Sequence, residues 1–173
     1  MIIDDIKAYR PCCEQERRDK QLILDFIEKN DDAFLRTNLI AHMTASAWVV
    51  NPPRAKVLMV YHKIYNSWSW TGGHADGERD LLSVALREVR EETGLRLDPM
   101  RGRRVASHKV TGRFEDVWLF ERDVALDELT LQEGETCGAM LARADEILEL
   151  QREGRMAPTG SFELAELLRL MEG

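Results

Sequence analysis

The sequence predicts an α/β or α+β sandwich that follows an N-terminal helical arm. Segments with a helical spacing of apolar residues alternate with short runs rich in β-branched and aromatic residues. Strands mixed with helices in this way build one sheet covered by helices. The 173 residues contain no repeat and no linker long enough to separate two folding units, so we expect one core that needs no disulfide bonds.

The first 40 residues are predicted to form the helical arm. Apolar side chains at Leu22, Ile23, Phe26 and Ile27 make one face of a helix over 14–29. The acidic stretch that follows is expected to end this helix and to cap a second short helix reaching residue 39. After residue 40 the residue pattern becomes typical of strands, so we predict an arm over 1–40 and a domain over 41–173.

The strands and helices of the predicted domain follow in order. Two strands at 45–50 and 56–61 are joined by an Asn-Pro-Pro turn and make a hairpin candidate. A third extended segment at 67–71 leads into a loop over 72–78. An amphipathic helix over 80–93 ends at Gly94, the usual left-handed stop. Beyond it we expect strands at 104–110 and 116–124, a loop at 133–135, and helices at 142–152 and 162–171, the last capped by Ser161.

Charge and composition exclude several classes of protein. The chain has 24 basic and 31 acidic side chains, a formal charge of −7, which disfavours a protein that coats nucleic acid. No apolar run approaches a membrane span, and the first residues do not resemble a secretory signal. Three cysteines without a framework spacing indicate free thiols, so we expect a cytoplasmic protein. An acidic chain that acts on an anion needs local positive charge, which a bound metal cation supplies.

Three carboxylates gather on the helix over 80–93. Glu88, Glu91 and Glu92 stand at positions i, i+3 and i+4, within about 100° of one another. Their mutual repulsion is relieved by a divalent cation, and an all-oxygen ligand set suits a hard ion such as Mg²⁺ or Mn²⁺. The alternative is an ordinary solvent-exposed acidic face. Two glycines before the helix favour the metal, because their backbone can approach a phosphate or present carbonyl oxygens.

The segment 72–95, GGHADGERDLLSVALREVREETGL, resembles the Nudix hydrolase family. The family box reads G, five residues, E, seven residues, REUxEExGU, with U a bulky aliphatic residue. Gly73 matches its first glycine, and residues 87–95 match its whole second half. The first glutamate of the box falls at Arg79, and Glu78 stands one residue earlier. We interpret this as a one-residue slide of the loop into the helix.

The resemblance implies a Nudix-type α/β/α sandwich with a mixed sheet. It also implies a metal-dependent hydrolase that cleaves the pyrophosphate of a nucleoside diphosphate linked to another moiety. Glu88, Glu91, Glu92 and the carbonyl group of Gly73 would hold Mg²⁺ or Mn²⁺, and the ion would neutralise the phosphates and lower the pKa of a bound water. By family analogy, Arg87 would orient the carboxylates.

The general base is left open by the sequence. By family analogy it is either a glutamate of the box, such as Glu88 or Glu91, or a glutamate of a later loop. Glu133 and Glu135 are the downstream candidates and Glu115 is a weaker one. If Glu88 binds the metal, a loop glutamate is the better base, because a ligated carboxylate accepts a proton weakly. The alternative is that each is an exposed loop acid.

Candidate substrate-binding residues flank the box. Trp68 and Trp70 alternate on a strand and could stack on a base or a sugar, or could pack in the core. Gly72 and His74 could contact a phosphate, although an ordinary loop histidine is equally consistent with the pattern. A basic run at 101–104 could meet phosphates or begin a solvated strand.

Two other functions remain open from the sequence. One is a non-catalytic module of the same fold that binds a nucleotide and regulates. The other is an isomerase of isoprenoid diphosphates, which would need a reactive cysteine, and Cys137 is the cysteine placed nearest to the candidate residues in the sequence. The substrate is expected to be a small nucleotide-type molecule, with no membrane contact, and a homodimer is plausible from the family.

Overall fold

The computed structural model describes residues 2–11, 13–158 and 161–171. Five helices and seven strands lie within these residues, and two single turns of 3₁₀ helix connect some of them. In chain order the elements are α1 Ile2–Ala8, α2 Glu14–Lys29, β1 His42–Val50, β2 Val57–His62, β3 Ser67–Ser69, β4 Thr71–His74, α3 Leu81–Thr93, β5 Arg103–Val110, β6 Arg113–Glu121, β7 Thr136–Ala142, α4 Ala144–Arg152 and α5 Ser161–Arg169. No helix of the described part is long and apolar enough to cross a bilayer.

The seven strands form one mixed sheet around β1. β1 runs parallel to β6 over its whole length and antiparallel to β4. β5 pairs with β6 at one end of the sheet, and β7 pairs with β2 at the other. β3 pairs with β2 whereas β4 pairs with β1, so the chain crosses from one to the other at Trp70. The mixed sheet with helices confirms the predicted fold class.

Strand pairing differs from the prediction in three places. The expected hairpin of β1 and β2 pairs only where Val50 faces Val57, because β4 takes the rest of that edge of β1. Residues 72–74, predicted as the start of a loop, belong to β4. β7 was not predicted, since its short mixed sequence becomes a strand only by pairing with β2, which is distant in sequence.

The prediction of a second short helix after α2 is wrong, because residues 31–40 form turns and bends. The side-chain oxygen of Asn38 accepts hydrogen bonds from the backbone N–H groups of Ile40 and Ala41, and its amide donates to Asp32. Such local bonds compete with a helix. The other boundaries move by up to three residues. Ser161, predicted as a cap, is the first residue of α5, and its side chain lies outside the described part.

Apolar side chains form a core on each face of the sheet. Met43, Ala45, Ala47 and Val49 of β1 belong to the core that receives α2 and α3. The alternate residues Trp48 and Val50 belong to the core that receives α4 and α5. Because successive side chains of a strand point to opposite faces, the two cores lie on opposite sides of the sheet. The architecture is therefore a three-layer α/β/α sandwich.

The N-terminal helices close the free edge of β5. Its backbone N–H groups at Ser107 and Lys109 donate to the buried carboxylates of Glu16 and Asp19, at 3.4 and 3.3 Å. The hydroxyl of Tyr9 donates to the carbonyl group of residue 105 at 3.2 Å. Unpaired N–H and C=O groups on an edge strand invite pairing with other chains. The arm therefore satisfies them with side chains rather than with another strand.

The basic run at 101–104 has two different environments. The Arg104 side chain is 9 % exposed, lies 3.0 Å from Asp116 and stacks over the Trp118 ring. Burial raises the pKa of the Asp116 carboxyl, and Arg104 and a hydrogen bond from Ser107 partly offset this effect. Arg101 and Arg103 line a groove formed with the last residues of β6. Of the predicted cysteines, Cys13 and Cys137 are free thiols, and Cys12 lies outside the described residues.

Candidate active site

Two consecutive glycines allow β4 to pack closely on β1 at Gly72 and on α3 at Gly73. A Cβ atom on Gly72 would lie 2.6 Å from the Cβ atom of Ser46, and one on Gly73 would lie 2.4 Å from Oε2 of Glu88. Neither position has room for a side chain in the present arrangement. The two glycines face opposite sides of the strand, Gly72 toward Ser46 and Gly73 toward Glu88. Asp80, predicted as the first residue of this helix, caps the N-terminus of α3 instead. Gly94 ends the helix with a φ of 75°, as the sequence predicts.

Glu92 is the most enclosed carboxylate of α3. Its side chain is 2 % exposed, and Oε1 accepts a hydrogen bond from the N–H group of Gly72 at 3.0 Å. The second oxygen, Oε2, lies 3.2 Å from Nε2 of His62 but accepts no hydrogen bond of good geometry. A buried carboxylate oxygen in this state is costly unless a cation or a donor reaches it.

Glu88 lies half-buried beside Gly73. Its carboxylate accepts hydrogen bonds from Arg87, at 2.8 Å from Nη2 and 3.2 Å from Nε. Burial raises the pKa of Glu88; Arg87 opposes this shift, and repulsion from Glu92 and Glu91 adds to it. Glu91 itself is exposed. The three carboxylates form an acidic edge of α3, which comprises the exposed Glu91, the half-buried Glu88 and the buried Glu92.

Arg87 ties α3 to β4. Its guanidinium also donates to the carbonyl group of His74 at 2.8 Å. Glu78 lies exposed in the loop before α3, where its carboxylate accepts a hydrogen bond from the N–H group of Asp80. The guanidinium of Arg79 lies 5.2 Å above the Phe34 ring. At the position of the first box glutamate, this chain therefore makes a cation–π contact.

The donors at this site fit a hard divalent ion. Glu88 and Glu92 supply carboxylate oxygens next to the glycine pair. Oε2 of Glu92 has no hydrogen bond, and the pKa of Glu88 is raised. Both observations indicate that a positive charge would be stabilising at this place. Within the described residues, no three His, Cys, Asp or Glu side chains already converge as a metal-binding group. Glu88 turns toward Arg87 and Glu92 toward His62 instead.

A cleft of about 360 Å³ lies against the glycine pair. Its lining includes Gly72, Gly73 and His74 of β4 together with side chains from other elements, namely Ser46, His62, Tyr65, Trp70, Arg113 and Glu115. The glycine pair lines this cleft and also contacts Glu88 and Glu92 of α3. The backbone of Gly72 and Gly73 therefore lies between the cleft and the carboxylates of α3.

The predicted substrate-binding residues Trp68, Trp70 and His74 lie in three different environments. His74 lines the cleft, and its Nδ1 lies 2.9 Å from Nε2 of His42. Burial lowers the pKa of His74, and the positive charges of Arg36 and neighbouring groups lower it further. Trp70 lines the cleft but is 4 % exposed and packs edge-to-face on Trp48 at 5.3 Å. Trp68 is not among the cleft residues and packs edge-to-face on Tyr61.

The candidate general bases lie in different surroundings. Glu133 and Glu135 are exposed on the loop before β7. This loop is attached to the end of α3, because the N–H group of Gln132 donates to the carbonyl group of Glu92 at 3.3 Å. Glu115 is 6 % exposed, lines the cleft and lies 3.3 Å from the Arg113 guanidinium.

Several cleft residues were not predicted from the sequence, among them Ser46, His62, Tyr65 and Arg113. They come from β1, the end of β2, the following turn and the start of β6, so no spacing in the sequence connects them. The paired register of β1 with β4 and β6 brings two of them together. Only the change from the apolar run 57–60 to His62 and Lys63 could have indicated that His62 leaves the core.

Comparison with known proteins agrees with this architecture. The model of the NUDIX domain matches residues 41–161. An uncharacterized Nudix hydrolase of Listeria monocytogenes is 34 % identical over 95 residues, which are 54 % of this chain and 56 % of the relative. The chain thus matches about half the length of that relative.

Solved structures share the fold at low sequence identity. A Deinococcus radiodurans protein superposes with a TM-score of 0.60 and 19 % identity, over 76 % of this chain and 82 % of that one. A Francisella tularensis bifunctional NMN adenylyltransferase/ADP-ribose pyrophosphatase, solved with AMP and a manganese ion, gives a TM-score of 0.62 and 18 % identity over 89 % of this chain and 48 % of that one. With the box residues arranged along α3 and the domain model covering most of the chain, this protein belongs to the Nudix family.

Proposed function

We propose that the protein is a metal-dependent hydrolase that cleaves the pyrophosphate linkage of a nucleoside diphosphate joined to another moiety. The proposal depends on one arrangement above all, the contact of Glu88 and Glu92 with the Gly72–Gly73 pair. The carboxylate oxygens of Glu88 and Glu92 are available there as metal ligands, and the same glycine pair lines a ligand-sized cleft. Residues 41–173 would carry the activity, and the arm over 1–40 would support the sheet.

The side chains of α3 have distinct roles in this proposal. Glu88, Glu91 and Glu92, with the carbonyl group of Gly73, would hold Mg²⁺ or Mn²⁺. When bound, the ion supplies charge neutralisation for the phosphates and a lowered pKa for water. Arg87 positions Glu88 through two hydrogen bonds to its Oε1 atom and fixes the helix to the carbonyl group of His74.

The substrate class follows from charge and from the family. A pyrophosphate is a dense anion, and a bound cation would give this acidic chain the local positive charge that attracts one. The Francisella tularensis enzyme of the same fold is a pyrophosphatase in part and was solved with AMP and manganese. We extend this to a small nucleotide-type substrate for the present chain.

The general base is proposed from burial and attachment. Glu88, beside the glycine pair, would be a ligand, so a different carboxylate is the better proton acceptor. Glu133 and Glu135 lie on a loop that is hydrogen-bonded to the backbone of Glu92, which favours them. Glu115 is the competing candidate, because it is buried in the cleft. Replacing each by glutamine separates them: the base is the one whose loss removes the acidic limb of the pH profile of kcat.

The direct experiment is a turnover panel. Nucleotide sugars, dinucleotides and nucleoside triphosphates are incubated with the full chain, with EDTA, Mg²⁺ or Mn²⁺, and the released nucleotide is measured. We expect turnover of at least one diphosphate conjugate with metal and none with EDTA. Metal binding without turnover of any member would contradict the hydrolase and favour the non-catalytic module. Isomerisation of an isoprenoid diphosphate would contradict it in favour of the third function.

A further inference from the structure

The basic run at 101–104 borders a groove that the proposed hydrolysis does not use. Two hollows of about 370 and 560 Å³ adjoin there and share Arg101 and Glu121 in their lining. Arg103 lines the first hollow and Arg96 the second. We call the two hollows together the arginine groove. Each volume falls within the range of roughly 300–1,000 Å³ that small-molecule sites occupy.

The arginine groove lies at the far end of the central strands from the cleft. Glu115, near the start of β6, lines the cleft, whereas Glu121, the last residue of that strand, lines the groove. The stretch between them spans roughly 20 Å, because a strand rises about 3.3 Å per residue. On the neighbouring β1, Ser46 lines the cleft and Pro52, just beyond the strand, lines the groove. A ligand in the groove would therefore not occupy the cleft.

Three arginines of the groove have no carboxylate partner among the described residues. Arg96, Arg101 and Arg103 are exposed, and none of them makes an ion pair there. Arg122 of the same lining differs, because it lies 2.8 Å from Glu128. A guanidinium group presents N–H donors in a fixed fork that matches the oxygens of a carboxylate or a phosphate. The three unpaired groups are therefore free to receive an anion.

The acids in the lining do not cancel this charge. Glu121 accepts a hydrogen bond from Nε of Arg54 at 2.8 Å and forms an ion pair with that residue. The side chain of Asp98 caps the 3₁₀ turn Pro99–Arg101. Asp123 is the remaining acid among the described lining residues. The unpaired positive charge of three arginines thus exceeds the unpaired negative charge, on a chain whose net charge is −7.

The backbone that carries two of the arginines is held in place. Gly102 stands between Arg101 and Arg103, and a Cβ atom on it would lie 2.8 Å from Cζ of Phe120, so this backbone packs directly on the ring. The N–H group of Arg101 also donates to the carbonyl group of Asp98 at 3.0 Å. A backbone fixed before binding reduces the entropy lost when a ligand is bound.

We infer that the arginine groove binds a small phosphorylated molecule as a second ligand of the protein. The oxygens of a phosphate monoester can accept from more than one guanidinium group. Arg101, which both hollows share, would hold the phosphate together with Arg96 and Arg103. The exposed Pro52 and the half-buried Leu97 supply apolar surface in the same lining for the organic part of the ligand. This inference does not depend on the proposed hydrolysis.

The test is calorimetry on the full chain after metal has been removed on a chelating resin. The probes are phenyl phosphate, inorganic phosphate and succinate, which separate a phosphate ester from the free ion and from a dicarboxylate. We expect phenyl phosphate to bind most tightly. Arg101→Gln should weaken it roughly 10-fold, as loss of a hydrogen bond to a charged group does. Arg101→Lys should recover part of this loss, because lysine keeps the charge but not the fork.

Two matched variants locate the binding. Arg10→Gln makes the same change of charge at another exposed arginine, and Arg113→Gln makes it in the lining of the cleft. Both should bind phenyl phosphate as the wild type does. The inference is overturned if the wild type does not bind phenyl phosphate, if Arg101→Gln binds it normally, or if Arg113→Gln is the variant that loses it. Equally tight binding of inorganic phosphate or succinate would also overturn it, since the groove would then attract anions without selecting a phosphate ester.

Discussion

The two glycines before α3 should respond very differently to a single methyl group. A Cβ atom at Gly72 would meet Ser46 Cβ at 2.6 Å, Ser46 Cα at 3.0 Å and the carbonyl oxygen of Ala45 at 3.1 Å. These atoms belong to or adjoin the backbone of the central strand, so the strands must move apart. Overpacking of this kind costs about 1–3 kcal/mol. We therefore expect Gly72→Ala to lower the free energy of unfolding by that amount.

The methyl group at Gly73 meets a more yielding neighbour. Its contacts, at 2.4 to 2.8 Å, are all with the carboxylate of Glu88, the free end of a flexible side chain. Gly73→Ala should therefore cost less than about 1 kcal/mol while it displaces Glu88, so that stability is retained and turnover falls.

Urea unfolding of the two variants and of a rescue variant tests this reasoning. Removing the Ser46 side chain in Gly72→Ala/Ser46→Gly takes away the nearest contact and should recover part of the loss, which two independent substitutions would not do. A thermal midpoint lowered by roughly 2–4 °C per kcal/mol is the parallel readout. Equal stability losses at Gly72 and Gly73, or a double variant as unstable as the sum of its parts, would refute the close-packing argument.

Two further predictions concern parts of the fold away from the cleft. Arg104→Ala leaves Asp116 buried without its cation and should cost about 3–5 kcal/mol at neutral pH. Burial already raises the pKa of Asp116, so the carboxylate takes up a proton as the pH falls, and the loss measured by urea unfolding should then shrink. A loss independent of pH would contradict a charge effect. Glu16→Ala removes the acceptor of the Ser107 N–H group on the sheet edge and one acceptor of the Tyr9 hydroxyl. It should cost about 1–3 kcal/mol and increase light scattering on heating, with the exposed Glu28→Ala of the same helix as the control that should do neither.

Local signals predicted the parts of the fold that depend on neighbouring residues in the chain. Helix α3 was predicted from its apolar stripe and from Gly94 after it, and the structure has both features. The same spacing put Glu88, Glu91 and Glu92 on one edge. What the spacing could not give is their different exposure, because the burial of Glu92 comes from Gly72 and His62 of two other strands.

The missed elements depend on distant partners. β7 is a strand because β2 offers it an edge, and the turns at 31–40 follow from the local hydrogen bonds of Asn38. The cleft also lies beyond sequence patterns, since Ser46, Tyr65 and Arg113 meet only through the crossing of β3 and β4 and the parallel pairing of β1 with β6. Trp70 illustrates the same limit, as it is placed in the core by Trp48 rather than by its own alternation with Trp68.

The central claim is that the acidic edge of α3 makes the protein a metal-dependent hydrolase of a pyrophosphate linkage. The most direct measurement is the kcat of wild type, Glu92→Gln and the control Glu149→Gln on the best substrate of the turnover panel, across a titration of Mg²⁺. Glu149 is an exposed acid of α4 paired with Arg152, so its replacement makes the same change of charge away from the cleft. We predict that Glu92→Gln loses roughly 100-fold or more of kcat with its circular dichroism unchanged, while Glu149→Gln and wild type agree. Wild-type turnover by Glu92→Gln, or wild-type turnover that persists in EDTA, would contradict the account.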